Sequence, residues 1–250
     1  MLKQTDDVII AIHVLGKLFG FTSERAWHRF VVGNLLMGKS FPEPSRYNRR
    51  CRSLCWAIKW IRHRLAKCGQ YHAYAVVDSL PIELCHYARV SRVKRFRDVA
   101  DIGYCASKKM FFYGFKLHIQ ITDQSLPMGY VVTVASYHER IVAEEVMTQH
   151  PHPYTLGDKG YVSRPLQKKL HHEYGIAFWT PSRKNQQASY SKEWEQWMCR
   201  KRKIAETTFS VLVDVFCLTS IRTNSVQGFE TALDGILLAY TLVALELVEQ

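Results

Sequence analysis

The spacing of apolar residues divides the chain into a helical first part and a mixed second part. From Tyr47 to Leu65, apolar side chains recur every three or four residues, which predicts an amphipathic helix. Shorter helices are predicted near 6–19 and 22–37. After Gly69 the pattern changes, and residues 111–121 alternate with a period of two, which predicts a long strand. We therefore expect a small helical domain over 1–70 and a second domain over 71–250.

The second domain is expected to alternate between strands and helices. Further strands are predicted at 73–77, 129–134, 153–156 and 176–180. Helices are predicted at 138–149, 163–174, 191–217 and 228–248. This order favours an α/β fold, with a mixed sheet flanked by helices.

Composition removes several classes of protein. At 47 % hydrophobic and 12 % aromatic residues, the chain has enough material for a core, which excludes a disordered or collagen-like protein. The longest apolar stretch, residues 235–245, is well short of the ~20 residues that cross a bilayer, so no membrane partner is expected. The first ten residues lack the pattern of a secretory signal, which predicts a cytoplasmic location. Seven cysteines without a C-x-x-C pair suggest neither a disulfide framework nor a four-ligand zinc site.

The positive charge is concentrated near the start of the chain. The net charge is +12, and residues 1–70 hold 13 Lys or Arg against four acids, a balance of +9. Most basic residues of the amphipathic helix fall off its apolar stripe, and the first of them are Arg46, Arg49, Arg50 and Arg52. An arginine-rich exposed face of this kind predicts a helix-turn-helix-like module that contacts DNA. The alternative is a charged face that is only solvated.

One formal motif in this region does not have the required context. Residues 33–40 satisfy G-x-x-x-x-G-K-[ST], the phosphate loop of nucleotide-binding enzymes. That loop needs a strand before it and a helix that starts at its Lys-Ser. Here a helix is predicted before the motif, and Pro42 and Pro44 oppose a helix directly after it. We therefore interpret the segment as a helix end followed by a turn.

Three acids occupy unusual positions in the second domain. Asp78 follows the apolar run Ala-Val-Val, Asp158 comes at the end of the short predicted strand Tyr-Thr-Leu, and Glu206 is predicted on the apolar side of a helix. Singly, each has an ordinary interpretation, as a turn residue or, for Glu206, as a partner of Arg202. Together they form an arrangement that holds two divalent cations for phosphoryl transfer. His138-Glu139 lacks the second histidine of a zinc protease site, so we set it aside.

The same acids lie in phrases that resemble a known family, the DDE transposases of bacterial insertion sequences, in particular the nine-eighty-two family. Two stretches of 79 and 47 residues separate the three acids. The resemblance extends from the arginine-rich segment at residue 46 to about residue 240. The matching phrases are Val-Val-Asp78-Ser-Leu-Pro, Phe96-Arg-Asp-Val-Ala, Gly103-Tyr-Cys-Ala-Ser-Lys-Lys, Phe112-Tyr-Gly-Phe-Lys-Leu-His, Leu156-Gly-Asp158-Lys-Gly-Tyr, Pro181-Ser-Arg-Lys-Asn185 and Arg202-Lys-Ile-Ala-Glu206-Thr-Thr-Phe-Ser.

The resemblance implies a ribonuclease H-like catalytic domain that cleaves DNA at terminal inverted repeats and joins the end to target DNA. It implies that Asp78, Asp158 and Glu206 are the catalytic acids and hold two Mg²⁺ or Mn²⁺ ions, and that Arg202 orients Glu206. A homodimer on paired DNA ends is a family-level expectation. The chain departs from a signature of related families, because Cys199 and Val213 stand where a tyrosine and a lysine are expected.

Five lysines of the second domain are candidates for DNA contacts. Lys159 and Lys184 are candidates to hold the scissile phosphate or the flanking strand, and Lys108, Lys109 and Lys116 to follow the DNA backbone. The alternative for each is an ordinary surface lysine. Two other functions stay open at this point: a nuclease or resolvase of the same fold, which cuts without joining, and a catalytically silent DNA-binding protein.

Overall fold

The computed structural model describes residues 4–106, 109–182 and 190–248. By its internal contacts the chain divides into two compact units. The helical unit comprises Met1–Leu65 and Ser210–Gln250, and the sheet unit comprises Ala66–Phe209. The α-helices are α1 (Asp6–Leu18), α2 (Glu24–Phe30), α3 (Pro44–Ser53), α4 (Cys55–Ala66), α5 (Glu139–Gln149), α6 (Arg164–Tyr174), α7 (Lys192–Asp214) and α8 (Val226–Ala244). The strands are β1 (Ala75–His86), β2 (Asp101–Cys105), β3 (Met110–Thr122), β4 (Pro127–Val134), β5 (Tyr154–Gly157) and β6 (Ala177–Trp179).

The helical unit differs in one respect from the domain that the sequence predicts. Its core contains Ile9 and Trp27 from α1 and α2 and Tyr47 from α3, as apolar spacing suggests. The helix α8, however, also belongs to this unit, although we expected residues 71–250 to form one domain. Most of α8 is buried on all sides, and such a helix needs neighbours all round it. Within the described ranges, no helix is both long and apolar enough to cross a membrane.

The predicted basic helix is divided in two. The helix α3 begins with Pro44 at its first turn, where a proline is well tolerated, and ends at Ser53. After Leu54 the chain continues as α4, and Leu54 and Ile58 are buried as their spacing indicates. Before α3, residues 31–35 form a π-helical turn that continues α2. A helix rather than a strand therefore precedes the G-x-x-x-x-G-K-[ST] motif, which agrees with our rejection of a phosphate loop.

The sheet unit contains a six-stranded mixed sheet in the order β2-β3-β1-β5-β6, with β4 also paired to β3. The strand β1 runs antiparallel to β3 and parallel to β5, and β5 runs parallel to β6. The helix α5 packs against this sheet through Ala143, Val146 and Met147, which share a core with Val77 of β1. The predicted mixed sheet with helices against it is thus confirmed.

Two strands depart from the predictions. The strand β1 extends to His86 rather than ending at residue 77, and β2 was not predicted. Beyond Val77 the strand is only half-buried and carries polar residues and Pro81, so its hydrophobic pattern is weak. The proline is tolerated because pairing with β5 ends at Val77, which leaves an open strand edge beyond it. None of the seven cysteines, all within the described ranges, forms a disulfide in this structure.

Candidate active site

Two aspartates meet where the parallel pairing of β1 and β5 ends. The last parallel pair is Val77 with Gly157, and the next residue on each strand is an acid, Asp78 or Asp158. Asp158 ends β5 as predicted. Asp78 does not end its strand, because β1 continues and Asp78 pairs with Ile119 of β3. The two acids therefore meet where the parallel pairing of β1 with β5 ends, and not where β1 itself ends.

One guanidinium group joins the two carboxylates. Arg202 of α7 places Nη1 at 3.0 Å from Asp158 Oδ1 and Nη2 at 3.5 Å from Asp78 Oδ2. The Asp158 side chain is 46 % exposed and the Asp78 side chain 22 % exposed, so the pair opens to solvent on the side of Asp158. We expected Arg202 to orient Glu206. In the structure it bridges the two aspartates.

The environment of Asp78 opposes its negative charge. Burial raises the pKa of Asp78 to about 6. The backbone N–H of Ser79, at 2.8 Å from Asp78 Oδ1, and the charge of Arg202 act in the opposite direction, while Asp158 and Glu139 raise the pKa further. A cation bound between these acids would favour the ionised form.

Glu206 is separate from the aspartates in this structure. Its side chain is exposed, whereas we expected it on the buried side of the helix. The buried residues of α7 include Met198, Ala205, Thr208 and Leu212, so the buried stripe passes beside Glu206. Among the described residues, the Glu206 carboxylate has no hydrogen bond or ion pair, and no three His, Cys, Asp or Glu side chains form a ready metal site. The structure thus brings together two of the three predicted acids.

A different glutamate lies beside the aspartates, and sequence reasoning missed it. Ser79 Oγ donates a hydrogen bond of 2.7 Å to Glu139 Oε1. Gly160 makes room for this carboxylate, because a Cβ at that position would collide with Glu139 Oε2. Glu139 is the first residue of α5, and acids are common in the first turn of any helix. The sequence therefore contains no signal that would single it out.

A buried polar network lies behind Ser79. On the neighbouring strand, His118 pairs in register with Ser79. Its Nδ1 is 3.3 Å from the Tyr161 hydroxyl, and its Nε2 is 3.0 Å from Thr133 Oγ1. Burial lowers the pKa of His118 to about 4 and raises the pKa of Tyr161, so both groups are neutral near pH 7. The Tyr161 hydroxyl also interacts with the side chain of Ser79, which connects the network to the neighbour of Asp78.

The structure describes three of the five candidate lysines of the sheet unit. Lys116 Nζ donates to the Tyr137 carbonyl at 3.3 Å and lines a shallow depression of about 400 Å³ that also includes Glu139. Lys109 is exposed at the turn before β3, and Lys159 is exposed next to Asp158. Lys108 and Lys184 lie outside the described residues.

The basic face of the helical unit is narrower than predicted. Arg46 and Arg49 are exposed, and Arg52 is half-buried. Arg50 instead donates from Nε to Asp6 Oδ1 at 2.8 Å and from Nη1 to the Gln4 carbonyl. Asp6 of the same chain therefore already neutralises part of the positive charge that we expected to face DNA.

Comparison with known protein families shows the family to which the chain belongs. A family model of the transposase DDE domain matches residues 68–226, which is more than half of the chain. The chain belongs to the transposase DDE domain family. The matched part of this DDE domain contains Asp78, Asp158, Arg202 and Glu206, and it identifies the chain as a transposase-type enzyme that acts on DNA. Comparisons with curated proteins and with solved structures gave no match.

Proposed function

We propose that this DDE domain protein is the transposase of a bacterial insertion sequence of the nine-eighty-two family, with a ribonuclease H-like catalytic domain. It would cleave DNA at terminal inverted repeats and transfer the 3′ end to target DNA. The observation that carries this proposal is the pair Asp78 and Asp158, which lie side by side at the end of the parallel ladder and share one cation, Arg202. Family membership gives this pair its chemical context.

The pair fits divalent cations by its donor chemistry. Carboxylate oxygens are the ligands that Mg²⁺ and Mn²⁺ prefer. The two aspartates already accommodate the positive charge of Arg202 between them, and Asp158 is open to solvent. We propose that they hold the two ions in competition with Arg202. When bound, such ions lower the pKa of a water molecule or a DNA 3′-hydroxyl and stabilise the leaving oxygen.

The third ligand has two candidates. Glu206 is one helical turn after Arg202, at about 6 Å between Cβ atoms by helix geometry, and it remains the proposed third acid. Glu139 is the competing assignment because its carboxylate is hydrogen-bonded to Ser79, the neighbour of Asp78. We assign Glu139 a positioning role, since Ser79 already engages one of its oxygens.

Basic residues on both units would hold the DNA. In the sheet unit, Lys159 is next to Asp158 in sequence. Lys109 lies directly before β3, and Lys116 lies within β3. In the helical unit, Arg46 and Arg49 present exposed guanidinium groups on α3. We propose that these residues bind phosphates, a contact that weakens as salt rises. We further propose that two copies of the chain act on paired ends.

A cleavage assay tests the assignment of the aspartates. The substrate is duplex DNA with the terminal inverted repeat of the element, incubated with Mg²⁺ or Mn²⁺. We expect cleavage by the wild type and by Glu173→Ala, which removes an exposed acid of α6, and none by Asp158→Ala. Equal cleavage by wild type and Asp158→Ala would overturn the metal assignment. No cleavage by any of them, with binding retained, would favour a DNA-binding protein without catalysis.

Metal titration distinguishes the two glutamates. Mn²⁺ binding, followed by electron paramagnetic resonance without DNA, is compared for Glu206→Gln, Glu139→Gln and the matched control Glu193→Gln at the start of α7. We expect Glu206→Gln to weaken Mn²⁺ binding more than Glu139→Gln does. The reverse order would make Glu139 the third ligand and remove Glu206 from the site.

A joining assay distinguishes a transposase from a nuclease of the same fold. A pre-nicked end with a free 3′-hydroxyl is supplied together with target DNA. We expect joined product from the wild type, since the proposed reaction includes strand transfer. Cleavage of the inverted repeat without any joining would identify a nuclease or resolvase instead.

A further inference from the structure

Five aromatic rings form a continuous row across the sheet unit. Tyr154 of β5 stacks on Trp179 of β6, with ring centroids 5.9 Å apart and planes 3° from parallel. Trp179 contacts Trp194 of α7 edge-on at 5.9 Å, and Trp194 stacks on Trp197 at 4.8 Å. Trp197 contacts Tyr74, just before β1, at 6.3 Å. We call these residues the aromatic row.

The aromatic row is not part of the buried core. Tyr154 is 52 % exposed, and the other four rings are half-buried. Tyrosine and tryptophan rings remove a large apolar area from water when they lie wholly inside a protein. A row of partly exposed rings instead presents flat apolar faces to solvent. Such faces can stack on another planar group.

Cations line the end of the row at Tyr74. Lys201 Nζ is 5.4 Å from the Tyr74 ring centroid and 5.9 Å from that of Trp197, within the range of a cation–π contact. Arg200 and Lys203 line the same shallow depression, which measures about 560 Å³. The described lining contains no acid; its other residues are Ile204 and Thr207. The depression therefore combines aromatic faces with positive charge.

The consecutive basic residues of α7 contact two different parts of the sheet unit. Residues 200–203 are Arg-Lys-Arg-Lys, and Arg202 contacts the site aspartates while Lys201 lies over Tyr74. Tyr74 precedes Asp78 by four residues of nearly extended chain, which span about 13 Å. The cationic end of the aromatic row is thus close to the acids within the same unit. A DNA strand held at the aspartates would have its flanking nucleotides within reach of this surface.

We propose that Tyr74, Trp197 and Lys201 bind unpaired nucleotides of a DNA strand, with bases stacked on the rings and phosphates held by Lys201, Arg200 and Lys203. Stacking rings beside a basic groove are the usual means of binding single-stranded nucleic acid without sequence preference. The faces of bases inside a duplex are covered by their neighbours, so this surface requires an unpaired segment. The proposal rests on the proposed function, because it identifies how DNA next to the acids is held.

Binding of a labelled oligothymidylate to the full-length protein tests the proposal. Fluorescence anisotropy gives the affinity, and quenching of tryptophan fluorescence reports stacking. We expect Tyr74→Ala to weaken single-strand binding roughly five- to one-hundred-fold, as the loss of one stacked base does. Tyr74→Phe should restore most of the affinity, and Lys201→Gln should weaken binding and reduce its salt dependence. The control Tyr174→Ala removes an exposed tyrosine of α6 outside the row and should change nothing.

Several outcomes would overturn the proposal. If the wild type does not bind the single strand, or if its tryptophan fluorescence is not quenched, the proposal is overturned. A protein partner would then be the ligand to test at the aromatic row. Equal loss of single-strand and blunt-duplex binding in Tyr74→Ala would show that stacking is not involved. Normal affinity in folded Tyr74→Ala and Lys201→Gln proteins, checked by circular dichroism, would also contradict it.

The proposed function can fail separately from this surface. If the wild type and Asp158→Ala cleave equally but single-strand binding depends on Tyr74, the metal assignment fails and the binding surface stands. If Asp158→Ala alone loses cleavage while Tyr74→Ala binds oligothymidylate normally, the surface fails and the metal assignment stands.

Discussion

The two units each contain an arginine paired with aspartate, and the surroundings of the two pairs differ. In the helical unit, Arg62 Nε is 3.4 Å from Asp234 Oδ1, and both side chains are almost inaccessible to solvent. In the sheet unit, Arg202 contacts Asp158 at 3.0 Å, yet the Asp158 side chain is nearly half exposed. One pair is closed within the core of its unit, and the other is open on one side.

The difference separates a structural pair from a reactive one. The buried carboxylate of Asp234 contacts two cations, Arg62 and Lys59 of α4, and is inaccessible to a ligand, so it stabilises the packing of α8 against α4. Two carboxylates that share one arginine have more negative charge than their partner neutralises. That excess, at an exposed edge, is what a divalent cation can bind. Sequence alone does not reveal this difference, because both pairs consist of the same residue types.

The largest effect is expected from the closed pair. Replacing Asp234 by alanine leaves Arg62 buried without its carboxylate partner, which should lower the free energy of unfolding by about 3–5 kcal/mol. Glu230→Ala is the control, since Glu230 is much more exposed than Asp234 and pairs at 3.3 Å with Lys59, which also contacts Asp234. That variant should lose less than about 1 kcal/mol. Urea denaturation measures both, and similar losses would show that burial does not distinguish these pairs.

A buried histidine gives the helical unit a pH dependence of stability that is opposite in sign to that of the open site. His13 Nε2 is 3.2 Å from the Thr231 carbonyl, and burial, with a smaller contribution from Lys17, lowers the pKa of His13 to about 3. The unfolded chain binds this proton near pH 6.5, so the stabilisation is complete above pH 6.5 and is lost as pH falls toward 3. At pH 5 the loss should be about 2 kcal/mol relative to neutral pH.

The variant His13→Gln provides the measurement for this group. Its unfolding free energy should fall less than that of the wild type between pH 7 and pH 5. Parallel pH profiles for the two proteins would mean that His13 is not responsible for the acid sensitivity.

Removing a carboxylate from the open site should have the opposite sign to removing Asp234. The raised pKa of Asp78 means that the folded state binds its proton more tightly than the unfolded state, so stability falls as pH rises from about 4 to about 6. At pH 7 without metal, Asp78→Asn should therefore stabilise the protein by up to about 3 kcal/mol. Thermal unfolding with and without Mn²⁺ measures this. Added Mn²⁺ should stabilise the wild type and leave Asp78→Asn unchanged, and destabilisation of the metal-free variant would contradict the prediction.

The sequence predicted the sheet and the two aspartates better than their surroundings. The period-two pattern at 111–121 identified β3, and the acids that follow short apolar runs identified Asp78 and Asp158. The contact of Glu139 with Ser79 could not be predicted, because it depends on the packing of α5 against the sheet and not on local spacing.

The basic residues show the same limit from another side. Arg62 falls off the apolar stripe of its helix, so spacing predicts that its side chain is exposed. In the structure it is buried and pairs with Asp234 of α8, which lies more than a hundred residues later in the sequence. Long-range ion pairs of this kind leave no periodic signal. We expected Glu206 on the buried side of α7, but it is exposed, because the buried stripe of this helix passes through Thr208 and Leu212 instead.

The smallest effects should distinguish the exposed Arg46 of α3 from Arg50, which is paired with Asp6. Arg50 contacts Asp6, whose side chain is 62 % exposed, so Arg50→Gln should cost at most about 1 kcal/mol of stability. It should change DNA affinity little, because the guanidinium already has acceptors in Asp6 and Gln4. Arg46→Gln should leave stability unchanged, weaken duplex binding and reduce the slope of log affinity against log salt by about 1. Salt titrations of duplex binding for both variants measure this, and an equal change of slope would mean that the Asp6 pair opens when DNA binds.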